Sequence, residues 1–129
     1  MASSPTDPAA ASNSTSVAFE LIERFRKLLG PESVLATDDE LVVYECDGYV
    51  VEKKSPDVVV FPTTTAEVVE IVRACNEYDV PFVPRGAGTS LAGGCLPVGG
   101  GVMIALTRMN RILEVNLQDR YAVVEPGLV

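Results

Sequence analysis

The sequence predicts an α/β fold (α+β in its later part): a βαβ unit with further strands in a small mixed sheet. Three observations predict it. Asp57 to Phe61 (DVVVF) is an unbroken apolar run of strand length, the pattern of a strand covered on both faces. The stretch after it places Val68, Ile71, Val72 and Cys75 at the i, i+3, i+4, i+7 spacing of one helix face. Two further apolar runs of strand length follow, Pro81 to Pro84 (PFVP) and Gly101 to Leu106 (GVMIAL), so strand-length apolar runs flank a stretch of helical period.

Taken in order, the first 16 residues (MASSPTDPAAASNSTS) are rich in Ala, Ser, Pro and Thr and read as a disordered tail. They lack the basic and apolar regions of a signal peptide. Val17 to Leu29 reads as a helix with Val17, Leu21, Phe25 and Leu28 on one face, Ser16 as its cap and Gly30-Pro31 as its stop. Asp38 to Tyr44 reads as a short helix, and Asp47-Gly48 as a turn. The first strand ends at Pro62; Thr64 and Glu67 then have the spacing of a capping box. Strand, helix and strand in so short a length make a right-handed unit with parallel strands. Arg111 to Asn116 (RILEVN) and Arg120 to Glu125 (RYAVVE) alternate and pair as a hairpin, and Pro126-Gly127 turns the chain after them.

The 129 residues suffice for one domain, and 47% of them are hydrophobic. A net charge of −8 argues against nucleic acid, where Lys and Arg must neutralise phosphates, and against an anionic membrane surface. No apolar run is long enough for a transmembrane helix. There are three cysteines, far apart, and no histidine, so no zinc or other metal site is expected. A reduced, cytoplasmic setting fits that cysteine usage, with Cys75 as a buried small hydrophobe.

The chemistry concentrates in PRGAGTSLAGG, Pro84 to Gly94. It fails the Walker pattern, because Gly94 stands where lysine is needed after Gly88 and Gly93. It fails the Rossmann fingerprint, because Leu91 stands at the third glycine after Gly86 and Gly88. Ala92 to Gly101, with its glycines and proline, cannot supply the long helix that fingerprint needs. Two readings stay open. One is a nest of backbone N–H groups around an anion, with Gly86 and Gly88 free to take positive φ and Thr89 and Ser90 adding hydroxyls. The other is a glycine-rich connection that holds nothing. Hydrogen bonds to a charged group contribute about 1.5–3 kcal/mol each, so four or five would account for much of a nucleotide's affinity.

The stretch from Leu41 to Val129 resembles the start of the FAD-binding domain of the FAD-linked oxidases, the vanillyl-alcohol oxidase and p-cresol methylhydroxylase (PCMH) type. The likeness rests on YECDGY (Tyr44 to Tyr49), VVFPTTTAEVVEIVRACNEYDVPFVPRGAGTSLAGG (Val59 to Gly94), ALTRMNRILEVN (Ala105 to Asn116) and VEPG (Val124 to Gly127). Within that family it looks most like the branch that holds the D-type glycolate oxidase subunits and the D-lactate and D-2-hydroxyglutarate dehydrogenases. The resemblance implies that residues 17–129 are the N-terminal portion of an incomplete FAD-binding domain. It implies cofactor contacts from Arg85, Gly86, Ala87, Gly88, Thr89 and Ser90, mostly through backbone, with Gly93, Gly94 and Cys95 closing the loop. Pro62 and, less directly, Pro126 and Gly127 resemble flavin-adjacent positions.

Some family members link FAD covalently through a histidine where Thr89 stands here, so FAD is expected to bind non-covalently. The catalytic residues are expected beyond Val129. The parent protein is then expected to be a flavin-dependent oxidoreductase acting on a small 2-hydroxy acid, glycolate or D-lactate in type, with this portion inactive alone. Apolar surface left for the rest of the domain predicts homo-oligomers or contact with other oxidase subunits. Two alternatives stand beside this: another flavoenzyme on the same scaffold, such as a relative of the UDP-N-acetylenolpyruvylglucosamine reductases, or a non-catalytic binding module that has lost the cofactor. Arg108, Arg111 and Asp47 have plainer readings, the arginines as partners of surface carboxylates and Asp47 as a turn residue.

Overall fold

The computed structural model describes residues 14–48 and 51–129. Most of the tail, residues 1–13, and Tyr49 of the YECDGY motif lie outside the described residues. Helices are α1 (Ser14–Leu29), α2 (Asp38–Leu41) and α3 (Thr65–Glu77); strands are β1 (Val34–Leu35), β2 (Val58–Val60), β3 (Phe82–Arg85), β4 (Val102–Ala105), β5 (Ile112–Asn116) and β6 (Tyr121–Val124). α1 starts at Ser14, two residues before the expected cap at Ser16, and the region expected as one short helix is α2 followed by a 3-10 turn over Val42–Tyr44.

The main sheet has the order β1-β2-β4-β3. β4 lies between β2 and β3 and is parallel to both, while β1 is antiparallel to β2. The sheet is therefore mixed, as expected, and the two strands of the βαβ unit are separated by the later β4. β1 was not anticipated: two residues are too short to show a period. Its antiparallel pairing places Val34 opposite Val60.

The unbroken apolar runs are explained by layers on both faces of the sheet. Val58, Val60, Val102 and Ile104 pack with Leu21 and Phe25 of α1 and Ile71, Ala74 and Cys75 of α3. The alternate residues Val59, Met103 and Ala105 face the other way, onto Leu41 with Leu35, Tyr44, Phe61 and Val83 around it. Leu28, expected on the buried face of α1, is 38% exposed; that face is made by Leu21 and Phe25, with Ile22 and Leu29 partly buried beside them. Burial holds the Cys75 thiol up at about 11, in keeping with a packing role.

α3 begins where the sequence placed it. Glu67 N–H donates to Thr64 Oγ1 at 3.2 Å, and the Glu67 carboxylate accepts from the Thr63 and Thr64 N–H groups at 2.6 and 3.2 Å. A second capping box, Thr37 with Glu40, starts α2. β4 enters through Gly100 and Gly101, both at positive φ (72° and 87°). The Gly101 N–H donates to Asp57 Oδ2 at 2.6 Å, and the Asp57 N–H returns to the Gly101 carbonyl at 2.9 Å.

β5 and β6 form a separate antiparallel hairpin. Residues on both of its faces are exposed: Ile112, Leu113, Val115 and Val123 are all more than 40% accessible. An isolated two-stranded hairpin is marginal in water, and its base is held by an ion pair. Glu125 accepts from Arg111 Nε at 3.0 Å, Nη2 at 2.6 Å and the Arg111 N–H at 2.9 Å. These bonds hold the Glu125 carboxyl below its ordinary value. Arg111 thus has the carboxylate partner expected of it. Arg108 has none among the described residues: it donates to Ser33 Oγ at 2.6 Å and lies over the Phe61 ring, 5.2 Å from its centroid.

Two outcomes follow from this packing. Thr64→Ala removes one reciprocal cap of α3 and should lower the unfolding free energy by about 1 kcal/mol, read as a lower urea midpoint. Glu125 has a depressed folded pKa, so its pair stabilises the hairpin above 4.5 and that share is lost as pH falls through the lower folded value. Glu125→Gln should weaken the hairpin at neutral pH and flatten its acid dependence, followed by the amide chemical shifts of β5 and β6 in a pH titration.

Candidate functional site

The register of the sheet aligns Val60 with Ile104 and Ile104 with Pro84. Three parallel strands therefore end on one edge. Buried Pro62 follows β2 there, the 3-10 turn Leu106–Arg108 follows β4, and the glycine loop follows β3. In open parallel sheets this carboxyl edge is where ligands bind.

The loop starts at Arg85, the last residue of β3. Gly88 and Gly93 take positive φ, 73° and 68°, which side chains other than glycine's adopt rarely. Among the described residues, the backbone N–H groups of Ala87, Gly88, Thr89 and Ser90 meet no acceptor. Thr89 and Ser90 are exposed and carry hydroxyls within the same stretch as those amides. Further along, the Ala92 N–H donates to Ser90 Oγ at 3.2 Å and the Leu96 N–H to the Gly93 carbonyl at 3.1 Å. Gly94 lies open, with nothing within 4 Å of where a Cβ would stand, and Cys95 is buried.

Two segments hold the loop from its flanks. On one side is Tyr44 to Gly48. The Gly48 N–H donates to the Gly88 carbonyl at 3.0 Å, and a Cβ on Gly48 would stand 2.9 Å from the Ser90 carbonyl oxygen, so only glycine permits this approach. Arg85 Nη1 donates to the Cys46 carbonyl at 2.9 Å and lies 3.5 Å from Cys95 Sγ. The Cys95 thiol faces Asp47 Oδ2 at 3.8 Å. On the other side is the Pro126-Gly127 turn. A Cβ on Gly86 would stand 3.8 Å from the Pro126 carbonyl oxygen. The Gly127 N–H donates to the Met109 carbonyl at 2.8 Å, and a Cβ there would collide with the Leu106 carbonyl.

The residues singled out in the sequence are thus placed as follows. Gly86 to Ser90 make the loop, Pro126 and Gly127 come beside its start, and Pro62 is buried on the same edge. Arg85 turns its side chain inward, onto Cys46, Cys95 and the Tyr44 ring. Asp47 is more than a turn residue: it is 5% exposed and belongs to the flank. Sequence reasoning missed the supporting role of Tyr44, Cys46 and Gly48. Their one signal was the YECDGY stretch, whose spacing gives no hint that it lies across the loop.

The donor set suits an anion bound through backbone. Consecutive unsatisfied N–H groups in a glycine-bearing turn form such a nest, and hydroxyls stand beside them. The diphosphate of a dinucleotide has the matching chemistry. Among the described residues no group of His, Cys, Asp and Glu could hold a metal ion, and no helix is long and apolar enough to cross a membrane.

Comparison with known proteins agrees. Residues 56–129 match the family model described as "FAD binding domain". The chain is 42% identical to glycolate oxidase subunit GlcD of Escherichia coli (strain K12) over 95 residues, which are 74% of this chain and 19% of that protein. It is 37% identical to a D-lactate dehydrogenase of Anaerostipes hadrus over 118 residues, 85% of this chain and 23% of that one. Its fold matches that of p-cresol methylhydroxylase with substrate bound, with a TM-score of 0.80 and 33% identity over 88% of this chain and 23% of that one. The chain therefore spans about a fifth to a quarter of the length of these relatives. It belongs to the FAD-binding domain family, with FAD as its cofactor.

Proposed function

We propose that this chain is the diphosphate-binding portion of a flavoprotein that oxidises a 2-hydroxy acid of the glycolate or D-lactate type. The observation that carries the reading is the run of unsatisfied donors from Ala87 to Ser90 at the carboxyl edge of the sheet. The relatives named glycolate oxidase subunit and D-lactate dehydrogenase support the substrate class.

In this reading the backbone N–H groups of Ala87 to Ser90 bind the diphosphate, and the Thr89 and Ser90 hydroxyls add two donors. Gly86 lets the backbone approach it closely, Gly88 leaves room for the Arg85 guanidinium, Gly93, Gly94 and Cys95 close the loop, and Pro62, Pro126 and Gly127 border the flavin side. FAD, when bound, supplies the two-electron acceptor through which the hydroxy acid becomes the 2-oxo acid. The cofactor is held non-covalently, because Thr89 offers no imidazole for a linkage. The exposed apolar residues of the β5–β6 hairpin support a further protein surface over it, from the rest of the flavoprotein, a second copy or another oxidase subunit. A cytoplasmic setting belongs to the same reading: Cys46, Cys75 and Cys95 are all free thiols.

Gly88→Asp tests the loop. It drives a side chain into the space the Arg85 guanidinium fills and onto a backbone with φ of 73°, so the donors around it must shift. Losing even two hydrogen bonds to the diphosphate weakens binding about a hundredfold or more. Titration of flavin fluorescence should show that loss, and acid precipitation of the loaded wild-type chain should leave all flavin in the supernatant. Unchanged affinity in the variant would count against the diphosphate role; flavin in the pellet would count against non-covalent binding.

A further inference from the structure

We propose that the Arg85 side chain is the positioning residue of the glycine loop, an internal strut that fixes the backbone donors in place, and that it makes no contact with the diphosphate. Four observations meet at its guanidinium. Nη1 donates to the Cys46 carbonyl at 2.9 Å, a bond that spans 39 residues of chain. The same nitrogen lies 3.5 Å from Cys95 Sγ, at the far end of the loop. The carbon Cζ stands 5.7 Å from the centroid of the Tyr44 ring, within cation–π range. A Cβ on Gly88 would collide with Nη2, Cζ and Nε together, so the guanidinium fills the space that the missing side chain leaves.

The strut thus touches the loop at its start, middle and end, and ties all three to the Tyr44–Gly48 flank. Only a planar fork can do this. Arginine presents five donors in a rigid plane that also stacks on a ring, whereas a lysine ammonium is a point charge on a flexible stem. The flank is itself anchored: Tyr44 packs edge-on to Phe61 with ring centroids 5.9 Å apart, in the second core layer with Leu41, Val59 and Met103. Rigidity passes from the core to Tyr44, from Tyr44 to Arg85, and from Arg85 to the loop. The consequence for binding is preorganisation. Four amides that meet no acceptor among the described residues hold their orientation before the ligand arrives, which lowers the ordering cost of binding. This consequence rests on the diphosphate reading of the loop; the strut itself does not.

The test separates the two. The first readout needs no flavin: nitrogen-15 relaxation of the loop amides in the chain alone. Wild type should give order parameters for Ala87 to Ser90 near the rigid value of about 0.85, and Arg85→Lys should drop them toward about 0.6 or below, with β2 and β4 unchanged. Arg85→Ala should do the same, and millimolar methylguanidinium should restore the loop where methylammonium does not. FAD affinity should fall about tenfold in both variants and recover with methylguanidinium, the worth of a single charge-assisted bond. A loop that stays ordered in both variants, or that lysine or methylammonium restores, would overturn the proposal. A rigid wild-type loop that loosens in the variants, in a chain that binds no FAD, would support the strut and refute the diphosphate reading.

Discussion

Backbone pairing along β4 is the constraint on which the rest of the molecule depends. β4 bonds to β2 on one side and β3 on the other, both parallel. Because parallel strands cannot be joined by a tight turn, α3 must cross between β2 and β3, and a longer connection must return to β4. The registers then bring the ends of β2, β3 and β4 to one edge. The glycine loop, the buried Pro62 and the Leu106–Arg108 turn share a site for that reason. Gly101 protects the arrangement at the opposite end, where its missing side chain makes room for the Pro81 carbonyl, which accepts from the Val102 N–H at 2.9 Å.

An acidic chain with a net charge of −8 is an unpromising partner for a diphosphate if only side-chain charge is counted. The geometry resolves this. The donors are backbone dipoles whose strength is independent of net charge, and a half-buried guanidinium lies behind them. In the proposed reading the hydroxyls of Thr89 and Ser90 complete a surface suited to phosphate oxygens. The net charge offers no overall attraction for an anion, so the proposed reading relies on preorganisation, and with it on the flank from Tyr44 to Gly48.

Much of the frame was legible in the sequence because it is coded locally. The Thr64–Glu67 capping box, the stripe Val68-Ile71-Val72-Cys75 and the run Val58–Val60 each state their structure within a few residues. The hairpin was legible from alternation, although the same alternation implied a buried face that the described residues do not supply. Features set by distant contacts were not legible. The insertion of β4 between β2 and β3 depends on pairing choices far apart in the chain. β1 exists only because its two residues find the free edge of β2. Leu28 has the spacing of the buried face of α1, but the stripe runs from Leu21 and Phe25 to Leu29 at i+4 steps and leaves Leu28 at its edge. At the site, glycine content located the loop, whereas the burial of Asp47 and the inward turn of Arg85 arise from a segment some forty residues upstream.

The most direct test of the account is a nitrogen-15 amide spectrum of the chain titrated with FAD. The account predicts saturable shifts centred on Gly86, Ala87, Gly88, Thr89 and Ser90, with smaller changes at Gly48 and Gly127 and none in α1. The same set should respond to ADP, which carries a diphosphate, and not to riboflavin, which carries none. Shifts centred elsewhere with the loop amides unmoved, or an equal loop response to riboflavin, would contradict it.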